Sequence, residues 1–347
     1  MNAPLSAPVF TPVNLITGFL GSGKTTLLQR LLADPALADS AVLINELGEV
    51  GLDHHLLERI DETMVLLPSG CLCCTIRGEL AAAVRQLHER REAGTVPPFR
   101  RLVVESTGLA DPFPILSTLQ ADPVLRHHFR AGNVITTIDA VNGKAQLVRH
   151  RESARQVAVA DRLVLTKTDL AGDDEIADLV SRLRQLNPSA PLWRAAGAPL
   201  DADSLLSHDL FATAGRSEAA RRLLAGELDG LDGGSASPHD SAIRAMSLSF
   251  DRPVDWTLFG LWLSMLLNRH GERVLRVKGI LNVAGSAAPV AVHGVQHLVH
   301  PPVHMAAWPD QDRRSRLVFI VDDLDRAVLA RSLGAFLGKG TGLRSAA

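Results

Sequence analysis

The chain has 347 residues, 46% hydrophobic and 21% charged, as expected of a globular protein with a sizeable core. A formal net charge of −2 argues against general affinity for nucleic acid or an anionic membrane surface. The longest apolar run, TLFGLWLSMLL at 257–267, is too short to span a bilayer and predicts a buried helix.

The first basic residue is Lys24, so no positively charged secretory n-region is expected and a cytoplasmic location with reduced thiols follows. From about residue 12 to 196, apolar β-type runs alternate with helical patterns. Strands are predicted at 13–19, 41–47, 63–69, 101–107, 133–139, 162–168 and 191–196, with helices at 24–33, 76–93, 143–159 and 174–186. Continuous apolar strands are buried on both faces, which predicts an α/β fold with a mostly parallel, doubly wound sheet.

The first strand runs into GFLGSGKTT, which fits G-x-x-x-x-G-K-[ST] through Gly18, Gly23, Lys24 and Thr25. The glycines let backbone N–H groups turn inward around phosphates, with Gly21, Ser22 and Thr26 completing the loop, and the following helix N-terminus adds partial positive charge. Lys24 is placed to reach the β/γ-phosphates and Thr25 to ligate Mg²⁺. The chain is therefore expected to bind a nucleoside triphosphate.

Further on, SGCLCC holds all three cysteines, Cys71, Cys73 and Cys74. A closed structural zinc site takes four protein ligands. Three adjacent thiols with no partner pair elsewhere make an open site, suited to temporary custody of Zn²⁺, Co²⁺, Cu⁺ or Fe²⁺. Redox sensing and plain burial are the competing readings, but C-x-C-C is not the C-x-x-C of thioredoxin-like enzymes. The strand RLVVE ends in Glu105, followed by Gly108; a carboxylate there lies beside the phosphate loop, to hold or position Mg²⁺, and the glycine can pivot toward a γ-phosphate. After the strand at 162–168, Thr166, Lys167 and Asp169 form a base-recognition element. The Asp169 carboxylate can accept two hydrogen bonds from guanine N1–H and N2–H, a donor pair that adenine lacks, and the Lys167 stem can lie along the base or ribose. An ordinary helix cap at Asp169 is the bland alternative.

The texture changes after about 198, ending in a Gly/Ser/Pro/Asp cluster that reads as a linker. The pattern then restarts as strand 242–250, helix 255–269, strands 273–284, 288–299 and 316–322, and helix 324–337. This divides the chain into an N-terminal tail (1–11), a nucleotide-binding domain (12–200), a linker (201–240), a smaller α+β domain (241–337) and a tail (338–347). His293, His297, His300 and His304 lie close in sequence; strand periodicity puts the first two on one face and the last two on the other, and isolated histidines are commoner than ligands.

Together GFLGSGKTT, LINELGEVGLD, SGCLCCTIRGEL, VVESTGLADP, QVAVADRLVLTKTDL, LRVKGILNV and GVQHLVH resemble the CobW-like family of GTP-dependent metal chaperones over roughly residues 12–335. The resemblance implies a P-loop GTPase with a CobW C-terminal domain, whose nucleotide state controls a divalent metal at Cys71, Cys73 and Cys74. Glu46 then lies in a switch segment close to the metals, with Glu49 a lesser candidate; Asp53, Asp111 and Asp139 sit in family-like stretches without an assigned role. The implied ligands are GTP as substrate, Mg²⁺ as cofactor, Zn²⁺ or Co²⁺ (Fe²⁺ also fits) as cargo, and a client apo-metalloenzyme as partner. A monomer or a nucleotide-dependent homodimer is expected, with slow intrinsic hydrolysis because no arginine finger is identifiable. The chain departs from the usual guanine signature by carrying Thr166 in place of Asn, and its linker keeps only His208 and His239. Two other classes fit parts of the pattern: a GTP- and metal-binding sensor with little turnover, and a P-loop small-molecule kinase.

Overall fold

The computed structural model describes residues 10–45, 64–67, 75–196, 200–206, 242–309 and 311–338. Its contacts divide the chain into two compact units, Met1–Thr137 with Pro199–Ser207, and Ile138–Ala198 with His208–Ala347.

Among the described residues the first sheet has seven strands. They are β1 (Thr11–Gly18), β2 (Ser40–Asn45), β3 (Met64–Leu67), β4 (Arg101–Glu105), β5 (Phe129–Asp139), β6 (Arg162–Thr166) and β7 (Leu192–Arg194). Their order is β3-β2-β4-β1-β5-β6-β7. The pairs β1–β4, β1–β5, β2–β3, β2–β4 and β6–β7 are all parallel, as the continuous apolar runs predict. The helices of this part are α1 (Lys24–Leu32), α2 (Thr75–Glu92), α3 (Pro112–Ala121), α4 (Leu125–His128), α5 (Gly143–Arg149), α6 (Arg151–Val159), α7 (Asp173–Leu186) and the short α8 (Ala202–Leu206).

Helix α3 was not anticipated, although its start carries a readable signal. Asp111 accepts a hydrogen bond from Phe113 N at 3.0 Å, and Pro112 occupies the first helical position, where its missing N–H is harmless. The single helix expected over 143–159 is two helices, broken where His150 adopts an extended backbone (φ −124°, ψ 110°). Neither proline nor glycine marks that break in the sequence.

The second sheet is antiparallel, in the order β11-β10-β9-β13-β8 with β12 pairing β10. Its strands are β8 (Ile243–Phe250), β9 (Val274–Leu281), β10 (Val290–Val295), β11 (Leu298–Val299), β12 (Val303–His304) and β13 (Ser315–Asp322). The strand expected over 288–299 is a hairpin, turned at Gln296 with φ 50°. Helices α9 (Trp256–His270) and α10 (Arg326–Leu337) cover one face. Phe259, Trp262, Leu329 and Leu333 of these helices pack with Val277 and Phe319 of the strands in one apolar core. Trp262 Nε1 donates to Ser332 Oγ at 3.0 Å, so the buried indole is satisfied.

All eight residues of β9 are buried, so its other face is covered as well. Along that strand Val277 faces the α9/α10 core, and the alternate positions Arg276 and Lys278 share the opposite face. There they meet Asp161, the residue before β6. Asp161 and Arg276 are each 1% exposed and Lys278 2%. Arg276 donates to the Asp161 carboxylate and to the Val159 carbonyl at the end of α6, and Lys278 Nζ lies 3.4 Å from Asp161 Oδ1. The hairpin completes the cluster: the His293 and His300 rings stack at 4.3 Å and 3°, although strand periodicity assigned them to opposite faces. Gln296 reverses the chain and folds His300 back over His293, with His300 N donating to His293 O at 2.9 Å. Burial pushes the His300 pKa down to about 4 and holds His293 well below its ordinary value, so both rings are neutral at pH 7 and Arg276 donates to His293 Nε2 at 3.0 Å.

Removing Asp161 would leave buried cations without their counter-charge. Asp161→Asn is expected to lower stability by about 3–5 kcal/mol in urea unfolding; a loss below ~1 kcal/mol would contradict this account. Burial and the Arg276 charge push the Lys278 pKa from 10.5 down to about 7. Between those two pH values unfolding takes up a proton, so this lysine's contribution to stability rises with pH and is lost as pH falls toward 7. Comparison of unfolding at pH 7 and 9 should show that Lys278→Met gains more relative to wild type at pH 7 than at pH 9; equal differences would sink the assignment.

Candidate functional site

In the first unit β1 lies between β4 and β5 and leaves the sheet at Gly18, whose φ is 142°. A Cβ there would lie 2.3 Å from Thr137 Oγ1 and 2.5 Å from the Thr137 carbonyl, so only glycine lets the loop leave at this point. Gly21 and Gly23 also have positive φ, 70° and 85°. Gly23 caps α1 without a side-chain hydrogen bond, and the first-turn amides of α1 carry the helix's partial positive charge toward the loop. Gly21 and Thr26 are exposed. Lys24 Nζ donates to the Gly18 and Phe19 carbonyls at 3.1 and 3.2 Å, which folds its ammonium back over the loop.

Thr25 and Glu105, the two residues expected at Mg²⁺, are in direct contact. Thr25 Oγ1 donates to Glu105 Oε1 at 2.6 Å, and Glu105 is 3% exposed at the carboxyl end of β4. A hydroxyl beside a buried carboxylate is the hard-oxygen donor set that suits Mg²⁺, so the residues fit that ion.

Behind the loop stands a layer of hydroxyls that sequence reasoning missed. Ser22 Oγ and Thr137 Oγ1 are 2.7 Å apart, Thr137 Oγ1 donates to Thr17 O at 3.2 Å, and Ser106 Oγ donates to Thr17 Oγ1 at 2.9 Å. Part of the signal was a pair of polar residues inside otherwise apolar strands, Thr17 in β1 and Thr137 in β5, each of which must find a partner when buried. Ser22 is fully buried and its hydroxyl is committed to this layer, which leaves its backbone to face the loop. Gly108 stands against the loop from the other side; a Cβ on it would lie 2.7 Å from Leu20 N and 2.8 Å from Leu20 Cα.

In the second unit Thr166 ends β6. It is 6% exposed, and its hydroxyl donates to the Ile138 carbonyl at 3.2 Å. Lys167 follows in the left-handed region with φ 54°, a conformation that costs a side-chain-bearing residue about 1–2 kcal/mol. Its ammonium pairs with Asp139 Oδ2 at 2.7 Å. Leu170 N donates to Lys167 O at 3.0 Å, closing a turn on which Asp169 is exposed. Burial works to raise the Asp139 pKa, but hydrogen bonds from Lys167, Asn142 and Val141 hold it below its ordinary value.

Glu46, Cys71, Cys73 and Cys74 lie outside the described residues, between β2 and α2 in the sequence. Among the described residues no group of three or more His, Cys, Asp or Glu could hold a metal ion. Within the histidine group, His293 Nε2 is taken up by a hydrogen bond from Arg276, itself paired with Asp161. No helix among the described residues is long and apolar enough to cross a membrane.

A parallel sheet whose first strand opens into a glycine loop, with a lysine, a threonine and a buried strand-end glutamate, defines a P-loop nucleotide-binding protein. Residues 12–194 match the CobW/HypB/UreG nucleotide-binding domain and residues 243–337 the cobalamin synthesis protein cobW C-terminal domain; the chain belongs to this family. It is 32% identical over 308 residues to the zinc chaperone YjiA of Escherichia coli K12, covering 89% of this chain and 93% of that protein. It is 27% identical to the zinc chaperone CobW of Pseudomonas aeruginosa PAO1, covering 95% and 92%. The crystal structure of Zn(II)-bound YjiA GTPase from E. coli matches the fold with a TM-score of 0.68 at 27% identity, over 96% of this chain and all of that one (100%).

Because Gly108 has no room for a Cβ, Gly108→Ala should displace the segment after β4 from the phosphate loop. We expect hydrolysis of GTP by this variant to fall at least tenfold (about 1.4 kcal/mol) with a melting temperature close to wild type. Wild-type turnover by the variant would show that the close approach is not used.

Proposed function

We propose that this protein is a GTP-hydrolysing metallochaperone that holds a divalent transition metal under nucleotide control and passes it to an apo-metalloenzyme. The observation that carries this reading is the contact between Thr25 and the buried Glu105 at the foot of the glycine loop, 2.6 Å long and made of the groups that Mg-nucleotide chemistry requires. The similarity to proteins named zinc chaperone supports Zn²⁺ as cargo. Co²⁺ and Fe²⁺ are compatible with thiolate custody on chemical grounds.

Gly18, Gly21, Ser22, Gly23 and Thr26 contribute backbone to the phosphates, and Lys24 exchanges its loop carbonyls for phosphate oxygens. Thr25 and Glu105 would hold Mg²⁺, and that ion would supply positive charge against the charge developing on the phosphates. Gly108 presents its backbone to the γ-phosphate, while Thr166, Lys167 and Asp169 serve the base. Cys71, Cys73 and Cys74, with Glu46, receive the cargo metal. Ordering of the segments around Glu46 and Gly108 by the γ-phosphate tightens that metal site, and hydrolysis loosens it. Cargo metal and GTP must then strengthen one another by the same factor. In this reading residues 12–200 form the GTPase domain and 241–337 the second domain, joined by the linker at 201–240. The protein acts in the cytoplasm as a monomer or homodimer.

A competitive Zn²⁺ and Co²⁺ titration of the reduced protein tests this, with Mg²⁺ and a non-hydrolysable GTP analogue against Mg-GDP. We expect at least tenfold tighter metal binding in the GTP form (about 1.4 kcal/mol of coupling) and its loss in Cys73→Ser. Metal affinity indifferent to the nucleotide would replace the chaperone reading with that of a sensor.

A further inference from the structure

We infer that Asp139 is the positioning residue of the base-recognition element: it pins Lys167 so that the turn carrying Asp169 presents its carboxylate to guanine. This rests on the reading of Thr166, Lys167 and Asp169 as the base-recognition element.

Asp139 closes β5 and is 1% exposed. Its two oxygens are used differently. Oδ1 accepts from Val141 N at 2.8 Å and Asn142 N at 3.1 Å, and so belongs to the turn that starts α5. Oδ2 accepts from Asn142 Nδ2 at 3.1 Å and from Lys167 Nζ at 2.7 Å. The turn therefore holds the carboxylate still from one side, and the other side holds the lysine. A carboxylate fixed in this way is a rigid anchor, because rotation about its side-chain bonds would break the backbone hydrogen bonds.

Lys167 needs an anchor. Among the described residues it is one of three non-glycine residues with positive φ, and both neighbours constrain it. On its N-terminal side Thr166 is stitched to the end of β5: its hydroxyl donates to Ile138 O at 3.2 Å, and Ala140 N donates to Thr166 O at 3.0 Å. On its C-terminal side the Lys167 carbonyl accepts from Leu170 N at 3.0 Å, so Lys167 is the first residue of the turn and Asp169 its third. The backbone angles of Lys167 therefore set the direction of that turn. The pair with Asp139 opposes relaxation of Lys167 to an ordinary conformation, which would swing the exposed Asp169 away.

The consequence concerns specificity. The Thr166 hydroxyl is directed to the protein backbone, so discrimination between purines falls on Asp169 and on whatever fixes its direction. Two exposed apolar side chains, Val141 (50%) and Leu170 (68%), stand on the two turns that meet at the Asp139–Lys167 pair.

The test is a double-mutant cycle in the full-length protein, with GTP and ATP as substrates. Asp139→Asn keeps an oxygen for the turn amides and removes the charge that pins Lys167. Lys167→Gly removes the pinned side chain and adopts φ 54° without strain. We expect Asp139→Asn to raise KM for GTP at least tenfold with kcat changed less than threefold, and to narrow the GTP-over-ATP preference by a similar factor. In the Lys167→Gly background the same substitution should have an effect below twofold. A wild-type protein that prefers GTP, with an Asp139→Asn variant of unchanged KM and preference, overturns the inference and leaves the proposed function standing. An effect of equal size in both backgrounds, or a variant that fails to fold, makes Asp139 a cap of its own turn and also overturns it. A wild-type protein that binds metal under GTP control but has no preference for GTP over ATP removes the guanine reading beneath the inference. Failure to bind either nucleotide removes the proposed function itself.

Discussion

The grip of β9 on Asp161 is the constraint on which most of the second unit depends. An arginine, a lysine and one carboxylate, all but inaccessible to water, are held between the end of α6 and the second sheet, with two neutral histidines lining one side. A buried cluster of this kind is seldom a good source of stability, because desolvation of the charges offsets most of their attraction. Its value is specificity. An apolar contact between α6 and β9 would tolerate sliding, whereas Arg276 can satisfy the Asp161 carboxylate and the Val159 carbonyl together in only one register. Secondary contacts agree with that register: Arg151 pairs with Asp322, and Arg155 donates to Glu272 O.

The phosphate loop obeys a different rule. Its conformation is enforced from behind by hydroxyls and in front by the lack of side chains. Thr17, Ser22, Ser106 and Thr137 form a connected buried layer in which each hydroxyl holds another or a carbonyl. Gly18 and Gly108 are the two points at which backbone approaches too closely for a Cβ. Such a site is preorganised: the glycines supply the shape, and the hydroxyl layer keeps the loop from relaxing away from it.

Much of this was legible in the sequence because it depends on local patterns. The loop GFLGSGKTT, the strand ending in Glu105 and the continuous apolar runs of a parallel sheet each leave a signature within ten residues. What escaped depends on pairs distant in sequence. Asp139 and Lys167 are 28 residues apart and Arg276 and Asp161 are 115 apart. A lone aspartate at a strand end reads as a turn former, and Asp139 does accept from the amides of the turn that follows β5; its pairing with Lys167 appears only in the folded chain. The histidines show the limit of periodicity: counting by twos separates His293 from His300, yet one residue in the left-handed region at Gln296 reverses the chain and stacks them. Likewise the break at His150 leaves no mark in composition.

These observations bear on what the second domain is for. β6 has five residues, a span of about 13 Å between its first and last Cα atoms. Just before its start Asp161 is held by Arg276 and Lys278 of β9, and at its end Thr166 is stitched to Ile138 and Ala140. A fully buried strand held at both ends does not bend independently of its anchors. The direction of Lys167 and of the turn behind it is therefore set relative to the second sheet as well as to β5. β9 is thus a structural support of the strand that carries Thr166 and leads into the turn of Lys167 and Asp169.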